Sequence, residues 1–140
     1  MLVAEDNAVN KKLIARLLEK AGFLADIVDN GIQAVEAVTR VDYDAILMDC
    51  QMPEMDGFEA TAAIRMAESG TDRHVPIIAL TASAMVADRQ RCLACGMDDH
   101  LSKPIRSGEL AAMLERWIPS LVEATGAHRS GRRTRVLHGD

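Results

Sequence analysis

Short, almost wholly apolar runs recur along this chain, separated by amphipathic stretches, and that alternation leaves few ways to fold. The apolar runs are Met1 to Ala4, Ala25 to Val28, Ala45 to Met48 and Pro76 to Leu80, with a shorter one at His100 to Ser102. Between them lie segments of helical character. Val9 to Ala21 carries Leu13, Leu17 and Leu18 on one face, with Gly22 as its stop. Ile32 to Thr39 follows the turn pair Asn30-Gly31, and Phe58 to Glu68 precedes a Ser-Gly-Thr-Asp loop. Ala84 to Ala94 ends at Gly96, and Gly108 to Ile118 is capped by Ser107 and closed by Pro119. Strands apolar on both faces, each followed by a helix, predict an α/β fold: a parallel sheet covered on both sides. With right-handed crossovers, the common five-strand solution is the flavodoxin-like doubly wound sheet of order 2-1-3-4-5.

The bulk properties agree with one ordinary domain. The chain has 140 residues, 49% of them hydrophobic and only 3% aromatic, so the core must come from Leu, Ile, Val, Ala and Met. No apolar run approaches the ~20 residues that span a bilayer, and Glu5 and Asp6 interrupt any N-terminal apolar stretch. The expected location is cytoplasmic, with any membrane anchor belonging to a longer parent protein. Net charge is −5, but residues 120–140 set four arginines against two acids, which leaves −7 on the rest. An acidic body argues against non-specific nucleic-acid binding. The basic tail, 120–140, reads as a disordered end or linker beyond a domain at 1–119. The three cysteines, Cys50, Cys92 and Cys95, are expected to be reduced. Cys92-x-x-Cys95 lacks the second pair that zinc would need and falls within a helix, so packing is its expected role.

In doubly wound sheets the ligand site lies beyond the carboxyl ends of the strands. Here those ends carry Glu5 and Asp6, Asp49, Thr81, and Lys103 followed by Pro104. The predicted order makes strands 1 and 3 neighbours, bringing Glu5, Asp6 and Asp49 together. Three close carboxylates repel, which raises their pKa values or requires a cation, and hard oxygen donors without Cys or His suit Mg2+ or Mn2+. Thr81 and Lys103 supply a hydroxyl and a point charge suited to a phosphoryl group. An aspartate can serve as the nucleophile and form an acyl phosphate. Singly, acids at strand ends often only cap helices, as Asp6 and Asp56 could here.

The set AEDN, LMDCQMPEMDG, ALTA and SKP, in this order and spacing, resembles the receiver domain of two-component response regulators over roughly residues 1–119. The resemblance implies that Glu5 and Asp6 are the metal-binding acidic pair and Asp49 the phosphoacceptor. It implies that Gln51 gives a backbone carbonyl to the metal, that Thr81 is the switch hydroxyl, and that Lys103 pairs with the phosphoryl oxygens across a cis Lys103-Pro104 peptide. The partner implied is a histidine kinase or histidine phosphotransfer domain. The output implied is a change in the surface formed by the helix from Ala84, the strand at His100 and the last helix, with a homodimer as one outcome. Glu5-Asp6-Asn7-x-x-Asn10 is more similar to receivers of hybrid sensor histidine kinases than to those of transcription regulators, and a first strand starting at Met1 suits a domain cut from a longer chain. His100 stands where the family usually has a switching aromatic, and no DNA-binding module fits in the residues after Pro119. As a receiver the chain catalyses only its own phosphorylation and slow dephosphorylation. Two alternatives stay open: a degenerate receiver acting through protein contacts alone, and an aspartyl-nucleophile phosphatase. The latter wants an acid two residues after Asp49, where Gln51 stands.

Overall fold

The computed structural model describes residues 1–82 and 86–118, and side chains from 89 onward in the second segment. The expected helix start at Ala84, the stop at Pro119 and the tail 120–140 lie outside the described residues. The strands are β1 (Leu2–Ala4), β2 (Asp26–Val28), β3 (Ile46–Asp49), β4 (Ile77–Thr81) and β5 (Asp99–Ser102). The helices are α1 (Ala8–Lys20), α2 (Gly31–Arg40), α3 (Gly57–Glu68), α4 (Val86–Ala94) and α5 (Ser107–Trp117). All strand pairs are parallel and their order is β2-β1-β3-β4-β5, as the sequence predicts.

Alternation along each strand feeds two cores. Leu2, Ala4, Ile46, Met48, Ile77 and Ala79 face one side, against Ala34 of α2, Ile64 of α3 and Cys92 of α4. Val3, Leu47, Ile78 and Leu80 face the other, against Ile14 and Leu18 of α1 and Leu110 and Leu114 of α5. Period-two side chains on strands with both faces covered explain why the runs are continuously apolar. Asp26, the first residue of β2, interrupts the pattern. It is fully buried, and its carboxylate accepts the Tyr43 hydroxyl at 2.6 Å, which offsets its desolvation.

Three local readings are corrected. The buried stripe of α1 is Ile14 and Leu18, while Leu13 faces outward, because residues four apart stack on one helix face and their immediate neighbours turn away. Asn30 is no mere turn residue: its Oδ1 accepts the Gln33 N–H at 2.9 Å and caps α2. Ser107 is the first helical residue of α5, and the capping position belongs to Arg106, whose side chain makes no capping bond.

Two caps bear directly on the edge where the strands end. Asn7, rather than Asp6, caps α1, its Oδ1 accepting the Asn10 N–H at 3.0 Å; Asp6 is thereby left for other use. Asp56 caps α3 in a reciprocal box with Glu59. That box seats Gly57 against the end of β3, where its N–H donates to the Cys50 carbonyl at 3.1 Å. A Cβ at position 57 would overlap the Asp49 carbonyl oxygen, which is backbone and has no room to give. Gly57→Ala is therefore expected to cost about 1–3 kcal/mol through overpacking. It should lower the thermal midpoint by several degrees in calorimetry, and an unchanged midpoint would contradict this reading of the contact.

Candidate functional site

The carboxyl ends of β1, β3, β4 and β5 converge on a cleft of about 300 Å3. Its lining includes Glu5, Asp6, Asp49, Gln51, Thr81 and Lys103, so all the expected site residues but His100 and Pro104 meet there. One carboxylate oxygen from each of Glu5, Asp6 and Asp49 lies within 4.8 Å of the others. Glu5 and Asp49 are buried, Asp6 exposed. Asp49 Oδ1 accepts the Gln51 N–H at 3.1 Å, and Oδ2 accepts Lys103 Nζ at 2.9 Å. The same ammonium stands 3.2 Å from Glu5 Oε1. The angle there does not make a hydrogen bond, so Oε1 is a fully buried carboxylate oxygen without a hydrogen-bond partner among the described residues. Glu5 Oε2 accepts the Asn7 N–H at 3.1 Å.

Burial raises the Asp49 carboxyl to about 6, against the opposing pull of Lys103 and the Gln51 N–H, and nearby Glu5 adds to the rise. Burial works against the Lys103 ammonium, but its bond to Asp49 and the charges of Asp49 and Glu5 prevail and hold its pKa above the ordinary value. One lysine thus faces three carboxylates. A fully buried carboxylate oxygen that accepts no hydrogen bond and has only the Lys103 charge near it, beside two further acids, is a donor set that fits a hard divalent cation. The residues present therefore fit Mg2+, with Glu5, Asp6 and Asp49 as the side chains that would hold it.

Thr81 is buried at the last position of β4, and its carbonyl accepts the Lys103 N–H at 2.7 Å. The Lys103-Pro104 peptide is cis. Besides Pro104, His100 is the expected residue that lies outside the cleft lining. It pairs with Ala79 on β5 and is half-buried. Its neighbour Asp99 accepts Trp117 Nε1 and an Arg116 N–H, both at 3.0 Å, which ties β5 to α5. Burial pushes the Asp99 carboxyl up, but Trp117, the His100 N–H and Arg116 outweigh it and hold that carboxyl low.

Sequence reasoning missed the far wall of the cleft. Arg91 on α4 lies over the Phe58 ring of α3 at 4.0 Å, and both line the cleft with Cys50 and Cys92. Nothing in the local sequence pairs Arg91 with Phe58, which precedes it by 33 positions. Asn7 and Asn10 also line the cleft, and their spacing after Glu5-Asp6 was the signal available.

With this geometry in hand, comparison with known proteins is unambiguous. The description that matches residues 1–115 is the response regulator receiver domain, and the chain belongs to that family. It is 49% identical over 119 residues to hybrid signal transduction histidine kinase B of Dictyostelium discoideum, an alignment covering 79% of this chain and 6% of that protein. The chain spans only 6–7% of the length of the first three curated relatives it matches. Among solved structures, it is similar to the receiver domain of a sensor histidine kinase of Pseudomonas aeruginosa, solved with a magnesium ion coordinated in its active-site cleft. Identity there is 48% and the TM-score 0.76, covering 84% of this chain and 95% of that one. It is also similar, at 31% identity and TM-score 0.76, to the Saccharomyces cerevisiae complex of the histidine phosphotransfer protein Ypd1 with the receiver domain of Ssk1, covering 83% and 86%. No helix among the described residues is long and apolar enough to cross a membrane.

The raised Asp49 carboxyl has a stability consequence. It binds its proton more tightly folded, near 6, than unfolded, near 3.9. The stability this confers is full below the unfolded value and is lost as pH rises through about 6. In the absence of metal, Asp49→Asn should therefore gain stability relative to wild type as pH rises from about 4 to about 6, with little further change above that. Denaturant unfolding in a chelating buffer checks this; a gap that is constant or shrinks with rising pH would contradict it.

Proposed function

We propose that this receiver takes a phosphoryl group from a phosphohistidine onto Asp49. The observation that carries the reading is the meeting of three carboxylates with Lys103, one carboxylate oxygen accepting no hydrogen bond, at the carboxyl edge of the sheet. Bound Mg2+ would supply charge neutralisation for the carboxylates and the transferring phosphoryl group. Glu5, Asp6 and Asp49 are its side-chain ligands in this reading, with the Gln51 backbone carbonyl completing the protein's share. Asp49 Oδ attacks phosphorus, the bond to the donor's imidazole nitrogen breaks, and Lys103 turns from its Asp49 contact to the incoming phosphoryl oxygens. Catalysis here is positioning and electrostatics. Thr81, on the neighbouring strand, is assigned to follow the phosphoryl group, and His100 to respond one strand further on. The helix after Thr81, β5 and α5 then form the surface whose equilibrium shifts.

Gln51 in place of a second acid supports an acceptor over a turnover phosphatase, and the complete site supports an active receiver over a degenerate one. The domain is assigned to residues 1–119. The donor would be a histidine kinase or histidine phosphotransfer domain, in keeping with the hybrid-kinase relatives and with the Ypd1 partner of the neighbouring structure. Val9 and Leu13, one turn apart on α1, are 74% and 38% exposed beside Asn7 and Asn10 of the cleft rim, and they offer such a partner an apolar foothold.

Intact mass after incubation with Mg2+ and acetyl phosphate should show a single base-labile phosphoryl adduct that Asp49→Asn abolishes. An adduct persisting in that variant would overturn the assignment. Val9→Asp should leave acetyl phosphate uptake unchanged while slowing transfer from a phosphorylated histidine phosphotransfer protein about tenfold. Equal loss with both donors would place the effect in the site rather than at docking.

A further inference from the structure

The far wall of the cleft carries chemistry that phosphoryl transfer does not use. Cys50 directly follows Asp49 at the end of β3, and Cys92 lies on α4. Their Sγ atoms are 3.9 Å apart, although the residues are separated by 42 positions. Both are buried, and both line the cleft that holds Asp49 and Lys103. Cys95, in the Cys92-x-x-Cys95 pair that the sequence draws attention to, is committed elsewhere. Just beyond the end of α4, its thiol donates to the Cys92 carbonyl at 3.2 Å. The sulfur that faces Cys92 is therefore that of Cys50. The only group of three or more metal-binding side chains among the described residues is the carboxylate set, so the two thiols lack the further ligands of a structural metal site. A disulfide needs about 2.05 Å between sulfurs, and the gap closes if each side chain moves by roughly 1 Å.

We propose that Cys50 and Cys92 are a redox-addressable dithiol, which a hydroperoxide converts to a disulfide that ties the residue beside Asp49 to α4. The cleft, at about 300 Å3, gives a molecule of that size a path to both thiols. One thiol takes an oxygen from the hydroperoxide to become a sulfenic acid, releasing water from hydrogen peroxide. The second thiol then attacks that sulfur, the S–S bond forms, and the sulfenic oxygen leaves as a second water. The two thiols lose two electrons and two protons, and the peroxide is reduced. The attacking species is the thiolate, so for thiols this buried the oxidation is slow and needs hydrogen peroxide in excess. Drawing the two sulfurs together pulls α4 toward β3 and narrows the cleft. On the reading of Asp49 as phosphoacceptor, the disulfide slows phosphoryl uptake.

The test treats the whole chain with hydrogen peroxide in chelator, alkylates the remaining thiols, and maps peptides by mass spectrometry without reduction. A link between the peptide containing Cys50 and the peptide beginning at Cys92 is expected. It should persist in Cys95→Ser and vanish in Cys92→Ser and Cys92→Ala. Free, alkylated Cys50 and Cys92, or a link that needs Cys95, would overturn the proposal. The second readout is the rate of acetyl phosphate uptake, expected to fall several-fold in the cross-linked chain and to recover with reductant. A cross-linked chain that reacts as fast as the reduced one would overturn the coupling. Because the link is read by mass alone, a reduced chain that takes up no phosphoryl group would count against the acceptor reading and not against the dithiol.

Discussion

Two carboxylates, Glu5 and Asp49, are buried side by side at the edge of the sheet, and one ammonium, Lys103, stands between them. Much of the molecule serves that arrangement. Charges of like sign this close cannot both be carried in a low-dielectric setting without compensation, and Lys103 provides one positive charge for two acids with Asp6 adding a third. Removing the lysine would leave buried acids uncompensated, a change that costs about 3–5 kcal/mol in comparable buried pairs. The residual negative charge, and a Glu5 oxygen that accepts no hydrogen bond, are what make the edge receptive to a divalent cation and, through it, to a phosphoryl group. The apolar strands fix where each charge stands, and parallel pairing brings strand ends far apart in sequence to one place.

The opposite edge of the sheet is built for the reverse purpose. Arg65 of α3 donates to the Gly96 carbonyl at 2.9 Å and to Glu68 and Asp98 at 2.7 Å each. Asp98 in turn accepts the Ile77 N–H, and Glu68 accepts the Val75 N–H, both at 2.8 Å. His74 Nε2 lies 2.7 Å from the other Asp98 oxygen, and the start of β4 is stapled to α3 and to the segment before β5. Each edge sets one permanent cation against more than one acid, but here all four carboxylate oxygens of Glu68 and Asp98 accept hydrogen bonds, whereas Glu5 Oε1 at the other edge accepts none among the described residues.

Most of the fold was legible because strand burial and strand ends write themselves into sequence: Ala45 to Met48 could only be interior, and Asp49 could only mark where the interior stops. Asp49, Glu5, Asp6, Thr81 and Lys103 were findable because each is a polar residue ending an apolar run. What was not legible depends on distance or on one turn of helix. Leu13 and Ile14 are both apolar, and only the packing of α1 decides which is buried. Asp26 looks like a surface acid until Tyr43 reaches it. The contact of Arg91 with Phe58, and that of Cys50 with Cys92, exist only because α3 and α4 meet over β3 and β4, which no local pattern encodes. His100 was placed by resemblance alone, and it lies on β5 outside the cleft lining.

The central claim is that burial and charge crowding poise the Asp49 carboxyl for a metal and then for a phosphoryl group. A carbon-13 NMR titration of the aspartate side-chain carboxyls, with Asp49 assigned by Asp49→Asn, tests it directly. The account predicts a midpoint near 6 for Asp49 without metal, and a fall below the ordinary carboxylate range when Mg2+ is added. A midpoint near the unperturbed value of about 3.9, unmoved by Mg2+, would contradict it.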